Sequence, residues 1–153
     1  MLLSSPAFEM GGSIPSIYTC EGKNINPALH IEGVPSHAKT LVLIMDDPDV
    51  PEFVRKDRMY VHWVVFNIPP SVSTIAENSV PPGMMGAGTG GVLHYQGPCP
   101  PDREHRYFFK LYALDIALDL KEGSTKQDVE KAMAHHILAQ TELMGRYDKK
   151  KRA

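Results

Sequence analysis

The sequence predicts a single domain that is mainly β-structure, with one α-helix near its C-terminus. Thirteen prolines and twelve glycines are spread through the chain and divide it into short segments, which favours strands over long helices. The 153 residues are 42% hydrophobic and 22% charged, which suits a globular domain with one hydrophobic core. We therefore expect one domain over residues 1–153, with its core at about 8–147 and a basic tail at 148–153.

Three apolar segments are predicted to form the central strands. TLVLIMD (40–46) and VHWVVFNI (61–68) are rich in β-branched and aromatic residues, and each is followed by prolines. HRYFFKLYALD (105–115) carries apolar residues on both of its alternating faces, as expected for a strand that is covered on both sides. NPALHIEGV (26–34) is a weaker strand candidate, and SVPPGMMGAGTGG (79–91) is predicted to be a surface loop.

One helix is predicted from about Thr125 to Tyr147. Ser124 is placed to cap its start, with Gln127 three residues later. A stripe of mostly apolar residues then recurs at spacings of three and four, with one polar interruption at Gln140. This stripe is expected to pack against the sheet.

Charge, hydropathy and cysteine usage argue against several classes of protein. The formal net charge of -2 gives no overall attraction to nucleic acid. No segment approaches the ~18 to 20 apolar residues of a membrane-spanning helix, and the N-terminus lacks the features of a signal peptide, so a cytoplasmic location is expected. Cys20 and Cys99 are far apart in sequence, and in a reducing compartment two such thiols are more often free than bridged.

Three ionisable side chains, Asp47, His62 and His105, stand near the ends of predicted strands, where a buried polar group must find a partner. If the strands lie side by side, these side chains converge with the turn at Gly97–Pro98. A ligand oxygen can approach the glycine backbone, and the neighbouring prolines order the loop in advance. Two protonated imidazoles can donate hydrogen bonds to an anion, and a nearby carboxylate favours that charged form. The pattern predicts a pocket for a phosphate or carboxylate group.

Aromatic residues flank these positions. Strand alternation places Tyr107 on the same face as His105, where its hydroxyl adds a further hydrogen-bonding group. The same alternation predicts that Trp63 faces away from His62. Tyr60 is expected at the rim of the pocket.

Structural and metal-binding interpretations of the same residues remain open. A single histidine at a strand start is more often structural than ligand-binding, and DPDVP (47–51) by itself is an ordinary turn. Asp47, His62 and His105 match in residue type a two-histidine, one-carboxylate metal site, but no close pair such as HxH or HExxH is present. The sequence also lacks a nucleophile elbow, a P-loop and a dinucleotide fingerprint. We assign no metal ligand, no cofactor and no catalytic residue.

Several motifs in a fixed order resemble the phosphatidylethanolamine-binding protein family, also called the Raf kinase inhibitor-like family, in its short bacterial and archaeal branch. They are DPDVP, HWVVFNIP and GPCPPDREHRYFFKLYALD, together with IPSIYTCEGKNINPAL near the start and AMAHHILAQTELMGRY near the end. The resemblance runs from about Phe8 to Tyr147. It implies a β-sandwich, in which a large antiparallel sheet packs against a smaller one, with peripheral helical turns and a small anion pocket at one end.

By motif position, the resemblance assigns seven residues to the ligand pocket of the family: Asp47, Tyr60, His62, Gly97, Pro98, His105 and Tyr107. It also implies a cis peptide bond between Val50 and Pro51, since the cis form costs little before proline.

Three functions are compatible with the sequence. The favoured one is a binding protein for a small anionic or phosphorylated ligand, either a phosphorylated headgroup or a component of phosphoprotein signalling. The alternative is a hydrolase or metal-assisted enzyme that uses the same Asp and His residues, because a preformed anion site is also part of many catalytic sites. A third is a regulator that docks on a phosphorylated protein segment. A homodimer is compatible with the sequence, whereas neither nucleic-acid binding nor a membrane span is expected.

Overall fold

Two antiparallel sheets packed face to face form a β-sandwich, in a computed structural model that describes residues 1–150. The part of the predicted basic tail at 151–153 lies outside the described residues. The strands are β1 (Leu2–Ser4), β2 (Leu29–Glu32), β3 (Thr40–Asp47), β4 (Tyr60–Ile68), β5 (Thr74–Ile75), β6 (Met84–Met85), β7 (His105–Leu114) and β8 (Ile137–Tyr147). A 3-10 turn covers Ser16–Tyr18, and the α-helix α1 covers Lys126–Met133.

The small sheet has the strand order β1-β2-β5, and the large sheet has the order β6-β4-β3-β7-β8. The three segments predicted as central strands become β3, β4 and β7, which occupy the interior of the large sheet. The mainly β fold and the sandwich of a large and a small sheet are therefore confirmed.

The main core lies between the two sheets. Leu43 of β3 and Leu111 of β7 are fully buried there and pack in one cluster with Ile31 of the small sheet. The opposite face of β3 belongs to a second cluster, in which Ile44 packs with Val129 of α1. Because β3 is covered on both faces, its sequence is a continuous apolar run without polar alternation.

The predicted C-terminal helix is much shorter than expected. Its N-cap is Thr125, whose hydroxyl accepts a hydrogen bond from the Asp128 N–H while the Asp128 carboxylate accepts one from the Thr125 N–H. The helix ends at Met133, and His135 has a φ of +70°, which is incompatible with a continuing helix. Within residues 1–150, no helix has the length and hydropathy needed to cross a bilayer.

The segment from residue 137 to 147, predicted as helical, is the edge strand β8. It pairs with β7 from the Ile137–Leu114 pair to the Tyr147–His105 pair. A glycine suits position 145 of this strand, because a Cβ there would lie only 2.6 Å from the Ile14 side chain and would clash with it. The helical spacing of apolar residues was therefore outweighed by a long-range pairing that the local pattern does not reveal.

Two local predictions are also wrong. Cys20 and Cys99 form a disulfide, with their Cα atoms 5.5 Å apart, because the fold brings together two segments separated by 79 positions. The Val50–Pro51 peptide bond is trans, and residues 1–150 contain no cis peptide. The Pro51 carbonyl accepts hydrogen bonds from the N–H groups of Val54 and Arg55, so the turn closes without a cis bond.

Candidate ligand-binding cavity

A cavity of about 250 Å³ opens at one end of the large sheet. Six of the seven predicted pocket residues line it: Asp47, Tyr60, His62, Gly97, His105 and Tyr107. The seventh, Pro98, is buried and does not line the cavity, but its carbonyl accepts a hydrogen bond from the Cys20 N–H. The rest of the lining comes from Val50, Val54, Gln96, Cys99, Pro100 and Pro101.

Antiparallel pairing explains why the predicted residues meet. The end of β3 lies beside the starts of β4 and β7, since both neighbours run in the opposite direction. Asp47 is therefore paired with Tyr60 across β3 and β4, and His105 opens the strand on the other side. The side chains predicted to converge therefore lie close together in the fold.

A β-bulge in β4 turns His62 towards the cavity. Met45 is paired with Trp63 and Asp46 with Val61, so His62 is an additional residue between two successive pairs. Trp63 consequently faces the main core, and the His62 ring, which contacts Tyr107, faces the same layer. The prediction that Trp63 faces away from His62 is wrong because strand alternation fails at a bulge.

His62 keeps one ring nitrogen available to a ligand. Its side chain is buried, and its Nδ1 lies 2.6 Å from the carbonyl oxygen of Gln96. Since a carbonyl only accepts, Nδ1 carries the proton. Burial lowers the pKa of His62, which leaves the ring neutral at pH 7 with Nε2 as an acceptor.

His105 has both ring nitrogens occupied by carboxylates. Its Nδ1 lies 2.6 Å from Asp47 Oδ2, and its Nε2 lies 2.7 Å from Asp102 Oδ1. Burial acts to lower the pKa of His105, but the hydrogen bonds to Asp47 and Asp102 outweigh it and raise the pKa above its usual value. The cavity thus disfavours the charged form of His62 and favours that of His105.

Asp102 was missed in the sequence analysis. The DREH segment spaces it three residues before His105, and this spacing was the available signal. Loop residues follow no strand or helix periodicity, so this spacing alone did not show that the carboxylate contacts the imidazole.

Asp47 is held in place through both of its carboxylate oxygens. Oδ2 accepts from His105, and Oδ1 accepts from the backbone N–H of Asp49 at 2.7 Å. Asp49 in turn forms a two-point ion pair with Arg106, with distances of 2.8 and 2.9 Å. The carboxylate is therefore oriented before any ligand arrives.

The Tyr107 hydroxyl is buried without a hydrogen-bond partner among the described residues. Burial raises the pKa of Tyr107 far above its ordinary value, so the hydroxyl remains protonated. Its ring lies edge-on to His62, with centroids 5.3 Å apart. Leaving a buried hydroxyl unpaired costs about 1–3 kcal/mol of folding free energy. A ligand atom that accepts a hydrogen bond from this hydroxyl would recover that cost.

The lip of the cavity, residues 97–101, is tied to the segment around residue 20. The Gly97 N–H donates to Asn24 Oδ1 at 2.7 Å, and a Cβ on Gly97 would lie 2.2 Å from the carbonyl oxygen of Tyr18. Gly97 is thus required for packing against this segment. The role predicted for it was different, namely to let a ligand oxygen approach its backbone. The Cys20–Cys99 disulfide makes the same connection covalently.

Across the part of the chain that the structure describes, no group of three or more His, Cys, Asp or Glu side chains is arranged to hold a metal ion.

The sequence matches a known protein family and several related proteins. The family model described as phosphatidylethanolamine-binding protein matches residues 4–148. A UPF0098 protein of Chlamydia trachomatis is 48% identical over 149 residues, which cover 97% of this chain and 99% of the relative. A UPF0098 protein of Methanothermobacter thermautotrophicus is also 48% identical, over 96% of this chain and 98% of the relative.

Solved structures give the same result. A phosphatidylethanolamine-binding protein homologue of Chlamydia trachomatis superposes with a TM-score of 0.94 at 48% identity, covering 96% of each chain. Escherichia coli YbcL, described as a new member of the mammalian PEBP family, superposes with a TM-score of 0.86 at 27% identity, covering 97% of this chain and 98% of YbcL.

Proposed function

Because this chain belongs to the phosphatidylethanolamine-binding protein family, we propose that its cavity binds the phosphate group of a small ligand. The observation that carries the proposal is the Tyr107 hydroxyl, a buried donor without a partner among the described residues, on a side chain that lines the cavity beside His62. A phosphate oxygen is a strong acceptor and satisfies this donor.

The other polar groups of the cavity suit a phosphate that carries a proton. A P–OH group donates to the free His62 Nε2, while an unprotonated oxygen accepts from Tyr107. The Gln96 side chain already accepts from the Tyr60 hydroxyl at 3.0 Å through Oε1, which leaves its amide nitrogen as a second donor. Donors and acceptors are thus both available, as hydrogen phosphate requires.

The outer wall of the cavity suits an organic group attached to the phosphate. Val50 and Val54 line one side, and Pro100 and Pro101 line the lip. Phe53, beside Val54 in the same turn, is 83% exposed. Apolar contacts at the opening and a polar floor fit a phosphorylated headgroup better than inorganic phosphate.

The hydrolase alternative is favoured by one observation. Neutral His62 presents Nε2 to the cavity, and this nitrogen has the acceptor capacity of a general base. Release of inorganic phosphate from phosphorylethanolamine, measured during the binding titration described next, decides between the binder and the enzyme.

The test is an NMR titration of the protein with inorganic phosphate and with phosphorylethanolamine. We expect saturable shifts at His62 and Tyr107, with tighter binding of the organic phosphate. Tyr107→Phe removes only the donor and should weaken binding roughly tenfold. Tyr112→Phe is the matched control, because Tyr112 packs against the second cluster on the opposite face. Equal affinities of Tyr107→Phe and wild type, or no shifts at the cavity, would contradict the proposal.

A further inference from the structure

The hydrogen bonds of His105 require two protons on its ring. Asp47 lies 2.6 Å from Nδ1 and Asp102 lies 2.7 Å from Nε2, and carboxylates only accept. A neutral imidazole has a single N–H and can satisfy only one of them. With both carboxylates ionised, the geometry demands the imidazolium form.

We propose that Asp102 is a positioning residue that holds His105 as an imidazolium, so that His62 is the cavity histidine whose charge responds to pH. The statement about His105 rests on geometry alone, whereas its consequence for ligands rests on the proposed function. Asp102 acts through His105 and does not itself line the cavity.

The surroundings of Asp102 favour its ionised form. Burial acts to raise the pKa of Asp102, but the hydrogen bond from His105 outweighs this and lowers the pKa below its usual value. Arg103 adds a cation 3.6 Å from the other carboxylate oxygen. The side chain is 28% exposed, so water also contributes to stabilising the carboxylate.

The groups that face His105 come from each neighbouring element. Asp47 ends β3, His62 lies in β4, Tyr107 follows in β7, and Tyr147 is the cross-strand partner in β8. His62 is neutral at pH 7 and the hydroxyl of Tyr147 donates to Glu21, so neither provides a competing charge. The two carboxylates therefore dominate the electrostatics of this ring.

A consequence follows for an anionic ligand. With Asp47 and Asp102 ionised and His105 charged, the triad carries one net negative charge. In Asp102→Asn, the group formed by Asp47, His105 and residue 102 is neutral as long as His105 is charged. The group becomes negative again when His105 loses its proton. The affinity for an anion should then depend on the titration of His105, which in the wild-type protein does not contribute.

The first test follows the His105 ring nitrogens by NMR as a function of pH, without any ligand. In wild type, we expect both nitrogens to be protonated at pH 7, where an unperturbed imidazole of pKa about 6.5 is mostly neutral. Asp102→Asn should move the titration midpoint of His105 to lower pH, and Asp102→Glu should restore it. Glu104→Gln is the matched control, because the Glu104 carboxylate pairs with Arg146 and not with the His105 ring.

The second test measures sulfate affinity, since sulfate keeps its charge throughout this pH range. At pH 5.5, Asp102→Asn should bind about tenfold more tightly than wild type, because one negative charge is removed beside the cavity. The two affinities should converge by pH 8.

The outcomes separate this inference from the proposed function. A His105 midpoint in Asp102→Asn that equals that of wild type, or a neutral wild-type ring at pH 7, overturns the role of Asp102 even if anions bind. A shifted midpoint with no anion binding at all supports the role of Asp102 and refutes the phosphate site instead.

Discussion

At the scale of single residues, His62 and His105 line the same cavity, but the surroundings of His62 favour a neutral ring and those of His105 favour a charged ring. His62 bonds to a carbonyl oxygen in a buried setting, which disfavours the charged ring, whereas His105 bonds to two carboxylates, which favour it. A sequence pattern of two histidines and one aspartate therefore does not imply two cationic donors. Only one of the two rings is expected to change charge when an anion binds.

The charge state of His62 predicts how anion affinity depends on pH. The pKa of His62 in the free protein lies below its usual value, and a bound anion raises it, so binding takes up a proton. Affinity should be highest below the free-state pKa, fall up to tenfold per pH unit as pH rises towards the pKa in the complex, and then level off. Calorimetric titrations with sulfate from pH 5 to pH 8 measure this profile.

His62→Gln provides the comparison for that profile, because the amide can still bond to the Gln96 carbonyl but does not titrate. Its sulfate affinity should be independent of pH over the same range. A wild-type profile as flat as that of the variant would rule out protonation of His62 on binding.

At the scale of structural elements, the lip at 97–101 depends on a few tertiary contacts. Its prolines cannot donate backbone hydrogen bonds, and its connections to the segment around residue 20 include the Gly97–Asn24 hydrogen bond, the Cys20–Pro98 hydrogen bond and the Cys20–Cys99 disulfide. Both cysteines are exposed, so the disulfide is accessible to thiols. Reduction would remove the covalent connection between the lip and this segment and leave the hydrogen bonds in place.

Removal of the disulfide is expected to impair binding as well as stability. The double variant Cys20→Ser and Cys99→Ser should lose about 2–4 kcal/mol of unfolding free energy, because the bridge closes a long loop. Its phosphate affinity should fall roughly tenfold, since the lip must then be ordered on binding. Urea denaturation and phosphate titration measure the two effects.

A reducing agent serves as the control for this prediction. Dithiothreitol should lower the phosphate affinity of wild type to that of the double variant and leave the double variant unchanged. Unaltered phosphate affinity in the reduced wild type would show that backbone contacts suffice to hold the lip.

At the scale of the whole molecule, the position of the cavity follows from the order of the large sheet. Because β3 lies between two antiparallel neighbours, its C-terminal end meets the starts of β4 and β7. The same strands form the main core through residues such as Leu43 and Leu111. Ligand binding at this end is consequently coupled to the stability of the entire sandwich.

Thermal unfolding tests that coupling. Phosphate at about one hundred times its dissociation constant should stabilise the fold by about 2.7 kcal/mol, which corresponds to a rise in Tm of about 5–10 °C for a domain of this size. Tyr107→Phe should show a smaller rise at the same phosphate concentration, measured by scanning calorimetry. An equal rise in both proteins would indicate that phosphate acts elsewhere on the surface.

The central strands and the ionisable residues near their ends could be predicted from local patterns of amino acids. The apolar runs at 40–46 and 61–68 are continuous and rich in β-branched and aromatic residues, so for these two segments the local pattern was sufficient. Asp47, His62 and His105 were identified because they are ionisable residues near the ends of predicted strands. Antiparallel pairing of adjacent strands then made their convergence a reasonable expectation.

The remaining features depend on contacts between segments that are distant in sequence. The segment 137–147 has a helical spacing of apolar residues but becomes a strand because β7 offers it a long partner. The Cys20–Cys99 bridge, the bulge at His62 and the contact of Asp102 with His105 each depend on residues brought together by the whole fold. Their energies come from contacts distant in sequence or from local geometry that the fold imposes, and no local pattern records them.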